Sequence, residues 1–159
     1  MADQTTTVSR LKRLPENSAF THGVKVKYSD INDSAWTTDG DTVSVEFTGS
    51  DLPTKYVVTR AVADVTTAFA TDGTLTYELG TDGDPNNFLT STDAKTAGVE
   101  IAAVGAAPVT LAGSFGSAGD DIMLRFTTQG ATGAPADITA GEIVVLLEIL
   151  DISEQAIGL

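Results

Sequence analysis

The sequence predicts an all-β protein: an antiparallel two-sheet, jelly-roll-like sandwich with an extended N-terminal arm. Three observations predict it. Short runs rich in Val, Ile and Thr alternate apolar and polar side chains with the period of a pleated strand. Clusters of Gly, Pro, Asp and Asn separate those runs, with 15 Gly and 5 Pro in 159 residues, and these mark turns. The runs number about eight, the strand count of a jelly roll.

Residues 1–22 read as the arm. They are polar, with isolated apolar residues Val8, Leu11, Leu14 and Phe20, and Pro15 biases Leu14 away from helix. The body runs over 23–152 and a tail over 153–159. Its first strand, residues 24–28, alternates Val with outward Lys, which also guards a sheet edge against false pairing. A polar loop around Trp36 follows. Residues 43–47 form the next strand, with Val43, Val45 and Phe47 inward. Residues 49–53 turn the chain into a long Val- and Thr-rich strand from Tyr56 to Phe69, whose β-branched side chains are stiff at χ1 and pack well on a pleat. Asp72-Gly73 turns it back, because Gly accepts φ > 0 at no steric cost. Residues 74–80 then alternate, with Leu75, Tyr77 and Leu79 inward.

Residues 90–98 are polar and read as irregular. A short strand is expected from Val99 to Val104 and another over 109–111, with Gly/Ser-rich chain after it. Ile122, Leu124 and Phe126 point inward from a strand whose Arg125 points out. The last strand, residues 142–152, is apolar on both faces. A central strand, or one half covered by a partner, has that pattern. The phrase Thr-Asp-Gly recurs at 38–40, 71–73 and 81–83 at uneven spacing, which is repeated turn chemistry and no repeat architecture.

Composition bounds the function. Hydrophobic residues are 42% of the chain, enough for one packed core. The net charge of −13 is unevenly placed: residues 1–27 carry five basic and two acidic side chains, and the remainder carries four and twenty. A basic arm on an acidic body suits docking on an acidic surface, such as a neighbouring copy; the competing view is that acidity gives solubility and the arm's charges are incidental. The acidic body argues against nucleic acid as a main partner, since phosphate binding needs a cationic footprint. Absence of Cys excludes disulfides and thiolate metal sites. Residues 1–5 show no apolar core of a secretory signal, and no apolar run approaches the ~20 residues of a membrane span.

Little catalytic chemistry is expected. His22, the one histidine, reads as an incidental surface residue, and no nucleophile elbow occurs. A carboxylate pair of glycosidase type stays open, but most acids fall in turns or on outward faces. The loop Asp82-Gly83-Asp84-Pro85-Asn86-Asn87 offers alternating oxygen donors. Asp82, Asp84 and Asn86 have the spacing a hard cation such as Ca²⁺ uses, without the distal Glu of an EF-hand. The simpler account is a pair of Asp/Asn turns capping a hairpin, with no cofactor. Trp36 with Tyr28 or Tyr56 offers a sugar-stacking surface, or else seals one end of the sandwich.

One stretch carries a resemblance. Val65-Thr66-Thr67-Ala68-Phe69, a turn, Thr74-Leu75-Thr76-Tyr77-Glu78-Leu79-Gly80, then Thr81-Asp82-Gly83-Asp84-Pro85-Asn86-Asn87-Phe88-Leu89 resembles a module of tailed-bacteriophage virion proteins. These include small jelly-roll head decoration (cement) proteins and fibre-like proteins. The likeness covers 43–151 as a pattern and 56–89 as words, and its motifs are structural. It implies a virion structural protein on the capsid exterior, made in the host bacterial cytoplasm, with the major capsid protein as partner. It also implies a homotrimer, as such proteins often sit at local three-fold positions. The alternative function is a carbohydrate- or receptor-binding module of a fibre. In either, Arg10, Leu11, Lys12, Arg13, Leu14 and Phe20 of the arm are the expected partner-binding residues, with the arm lying against another chain.

Overall fold

The computed structural model describes residues 3–10, 12–16, 18–31, 40–48, 56–101, 122–129 and 138–151. Ten strands and one helical turn lie in these segments: β1 (Asp3–Arg10), β2 (Lys12–Arg13), β3 (His22–Lys27), α1 (Tyr28–Ile31), β4 (Thr42–Thr48), β5 (Tyr56–Ala70), β6 (Thr74–Thr81), β7 (Leu89–Asp93), β8 (Gly98–Ile101), β9 (Ile122–Gln129) and β10 (Ala140–Asp151). They form two five-stranded sheets, ordered β1-β4-β9-β6-β7 and β2-β3-β10-β5-β8.

Strands β3 to β10 are a jelly roll. β6 pairs β7, β5 pairs β8, β4 pairs β9 and β3 pairs β10, all antiparallel, as one long hairpin rolled onto itself would give. The alternation read from the sequence sets the inner faces. Val43, Val45 and Phe47 meet Leu75, Tyr77, Leu79, Ile122, Leu124 and Phe126 from the first sheet, and all are buried. Across from them lie Ala61, Ala63, Val65, Ile143, Val145 and Leu147. Phe126 centres an aromatic cluster, its ring 5.3 Å from Phe69 and 6.5 Å from Tyr77, both tilted.

β10 is a central strand between β3 and β5. Its burial alternates, so the apolar run resolves into Ile143, Val145 and Leu147 inward and Val144 and Leu146 half-buried on the outer face. At its start Gly141 has φ +142°, and a Cβ there would run into the Phe69 ring. Only Gly fits that position.

Several expectations change. The arm is built into the body of its own chain. β1 runs parallel to β4 from Asp3↔Thr42 to Arg10↔Thr48, and β2 pairs β3 through Lys12↔Gly23 and Arg13↔His22. The segment thus adds one edge strand to each sheet. Its exit is tied down by Thr21, whose amide and hydroxyl both donate to the Leu147 carbonyl at 3.0 and 3.2 Å, and whose hydroxyl accepts from the Ile149 amide at 2.8 Å. His22 is buried at 5% exposure rather than an incidental surface residue, because it opens β3 opposite Leu147. Residues 89–93 form β7 where irregular chain was expected. Tyr28 belongs to α1, where the Asp30 carboxylate accepts from the Lys27 amide at 2.8 Å. The strand expected over 109–111, Trp36, Leu11 and the tail 153–159 lie outside the described residues.

Candidate functional site

Two features of the second sheet stand out, and both follow from strand register. The first is its outer face. Side chains directly opposite across a ladder share a face. Gly23, Leu146, Val62 and Ile101 therefore make one row across β3, β10, β5 and β8, and Lys25, Val144, Asp64 and Val99 make the next. Leu14, from the chain after β2, lies against Gly23, where an added Cβ would sit 3.4 Å from it and 3.2 Å from Leu146. A shallow groove of about 320 Å³ runs along Lys12, Leu14, Gly23, Val24, Lys25, Val144 and Leu146. At the far edge Val99 and Ile101 are 56% and 66% exposed. Edge strands are usually guarded by charge; these two side chains leave β8 apolar outward.

The second feature lies between the sheets at that same edge. A cavity of about 350 Å³ is lined by Tyr77 of β6, Thr92 and Asp93 of β7, and the 96–100 stretch ending in Glu100 of β8. Tyr77 is 1% exposed, and its hydroxyl has no hydrogen-bond partner. Burial pushes its pKa up to about 12, and the carboxylates of Glu100, Asp64 and Asp93 add to the rise. The rim is rigid. Asp93 accepts from the Lys95 amide at 3.0 Å and from the Thr96 hydroxyl at 2.7 Å, which together hold its carboxyl below the usual range. Lys95 donates to the Thr71 and Gly73 carbonyls at 2.9 and 2.7 Å, which pins this rim to the β5–β6 turn. A buried hydroxyl without a partner costs about 1–3 kcal/mol. Sequence reasoning missed this cavity, since its residues come from three strands with no motif among them.

The residues singled out from sequence are dispersed. Asp82, Asp84 and Asn86 are exposed in the β6–β7 loop, whose backbone closes on itself: Thr81 and Asp84 exchange amide–carbonyl bonds at 2.9 and 3.1 Å, and Asn87 donates to Asp84 at 3.1 Å. Among the described residues no group of three or more His, Cys, Asp or Glu side chains is placed to hold a metal ion. Of the arm residues, Phe20 is stacked by Arg60, whose guanidinium carbon lies 4.4 Å from the ring centre while an N–H donates to the Ala19 carbonyl at 2.6 Å. Arg60 also faces Glu148 at 3.5 Å. Lys12 and Arg13 are exposed on β2, and neither makes an ion pair among the described residues. Arg10 ends β1, and its side chain lies outside the described set. No helix of the described residues is long and apolar enough to cross a membrane.

No protein-family model and no curated protein matches the chain. Among solved structures it is similar to a chain in the capsid of Ralstonia phage GP4, with 16% identity and a TM-score of 0.47 over 92% of this chain and 97% of that one. A likeness that low adds nothing to the fold already given by the strand order.

Proposed function

We propose that the chain is a structural virion protein that decorates and cements a bacteriophage capsid through protein–protein contacts. In this reading it sits on the capsid exterior, takes the major capsid protein as partner, works as a homotrimer and has no catalytic role. The observation that carries the reading is the apolar row on the outer face of the second sheet, from Leu14 and Leu146 through Val62 to Ile101. Leu14 and Leu146 are half-buried, Val62 is covered and Ile101 is exposed, and an apolar outer face that opens to solvent at its edge is what a protein-binding face presents. Lys25 and Asp64 flank Val144 in the neighbouring row, and Lys27 lies one row beyond. The resemblance of residues 56–89 to small head decoration proteins points the same way.

The test is co-sedimentation with particles stripped of decoration. The intact chain is expected to pellet with the shells and to raise the temperature at which they release their genome. Ile101→Asp, on an exposed position, is expected to stay in the supernatant with an unchanged circular dichroism spectrum. An intact chain that stays in the supernatant at saturating concentration overturns the proposal.

A further inference from the structure

The second sheet is electrically polar from edge to edge. One edge is basic: Lys12 and Arg13 on β2, then Lys25 and Lys27 on β3, all exposed. Of these, Lys25 is engaged by Glu142 at 2.9 Å. The other edge is acidic, with Glu100 on β8 and Asp64 on the adjoining β5, and Asp93 of β7 in the first sheet lies beside Glu100 across the cavity. Five strands spaced by about 4.8 Å set the two edges roughly 19 Å apart, so they cannot meet within one chain.

Register decides which side chains would meet between chains. Arg13 is opposite His22, which is opposite Leu147, and both of these are buried; Arg13 is therefore on the inner side of its edge. Glu100 is opposite Ala63, which is fully buried, so Glu100 is also on the inner side, beside Tyr77. When two copies are related by a rotation about an axis along the strands, inner face continues inner face. Arg13 of one copy then comes to the mouth of the cavity of the next, while Lys12 follows the outer face toward Asp64 and Val99.

We propose that the cavity between β6, β7 and β8 is the receptor for the Arg13 side chain of a second copy, so that copies join head to tail through the basic and acidic edges of this sheet. The guanidinium brings what the site lacks. Its N–H groups donate to the Glu100 carboxylate and to the lone pair of the Tyr77 hydroxyl, and its charge answers the surrounding carboxylates. Tyr77 is the second, independent mark: it lines the cavity, and its hydroxyl is buried behind the cavity wall without a partner. A head-to-tail contact closes into a ring or runs on as a filament. Neither outcome requires a capsid; a ring of three would be the homotrimer of the proposed function, and on that point the inference deepens that reading, while capsid binding is tested separately by co-sedimentation.

The experiment measures mass by light scattering on the full chain, across a concentration series, for the intact protein, Arg13→Glu, Glu100→Arg, the double variant and Tyr77→Phe. Arg13→Glu and Glu100→Arg lie on exposed positions and are expected to keep the native spectrum. Each should raise the dissociation constant roughly 10- to 100-fold, the worth of a charged hydrogen bond. The double variant restores the ion pair with its poles exchanged and should recover most of the assembly. Tyr77→Phe should weaken assembly by less than either reversal. A monomeric intact chain, single reversals that assemble as well as the intact chain, or a double variant no better than the singles would each overturn the proposal. If the intact chain is a monomer and Arg13→Glu loses only capsid binding, the occupant is a capsid side chain and the proposal also falls.

Discussion

Arg125 of β9 grips Glu78 of β6 across the first sheet, with two N–H groups donating to one carboxylate oxygen at 3.1 and 2.6 Å. The two residues are direct cross-strand partners on the outer face. Their side chains are 30% and 15% exposed, so the pair is neither deeply buried nor freely solvated. A double-mutant cycle with Glu78→Ala and Arg125→Ala is expected to give a coupling of about 1 kcal/mol. The coupling should shrink in 1 M salt. A coupling of zero at low salt would mean that the ladder alone holds these strands.

Gly141 and Phe69 fix the start of β10. The positive φ and the ring that would occupy the Cβ position act together. Gly141→Ala is expected to cost roughly 2–4 kcal/mol, by backbone strain and by displacing Phe69 from Phe126. Urea denaturation measures it. A cost below 1 kcal/mol would show that the ring moves aside freely.

The sandwich was legible because its inner faces alternate. Val43, Val45, Phe47, Leu75, Tyr77, Leu79, Ile122, Leu124 and Phe126 were all readable as inward, and all are buried. Edges were less legible. β7 holds Leu89 followed by Thr90, Ser91, Thr92 and Asp93, and an edge strand with so little to bury has no apolar period. β1 is Thr-rich but pairs parallel to a strand more than thirty residues away, a choice no local pattern encodes. The cavity at Tyr77 is assembled from β6, β7 and β8, a juxtaposition only the tertiary structure reveals.

The β6–β7 loop should be indifferent to calcium. Its turn is closed by the Thr81–Asp84 and Asp84–Asn87 backbone bonds, and Gly80 packs so closely under Asp84 and Pro85 that a Cβ would strike both. The fold therefore places no demand on a cation there. Millimolar Ca²⁺ or EDTA is expected to leave the melting temperature unchanged. A rise that grows with calcium concentration, as linkage requires of a ligand bound only by the folded state, would restore Asp82, Asp84 and Asn86 as a metal site.

Removing residues 1–13 should destabilise the chain instead of trimming a passive tail. It strips β1 from β4 and β2 from β3, and leaves both ladders open at an edge. Bare edges invite pairing with other chains. The expected result is a melting temperature several degrees lower and turbidity on standing. A truncated protein as stable and soluble as the intact chain would show that neither strand contributes in solution.

Tyr77 gives a prediction with a definite sign. Its pKa is raised from 10.0 to about 12 by burial first, then by the carboxylates of Glu100, Asp64 and Asp93. In the unfolded chain the phenol ionises near its ordinary value; in the folded chain it stays protonated about two units further. Between those values the unfolded state binds fewer protons than the native state, so stability falls as pH rises. The contribution is complete below pH 10 and is lost as pH passes through about 12. Two units correspond to about 3 kcal/mol at most. The measurement is a comparison with a variant that lacks only this phenol. Urea denaturation of the intact chain and of Tyr77→Phe should give similar stabilities at pH 7, with the variant equal or slightly better because it removes a hydroxyl that has no partner. From pH 10 upward the intact chain should lose stability faster. Parallel curves across that range would mean that Tyr77 ionises like a surface phenol, and that the cavity beside it is open to water.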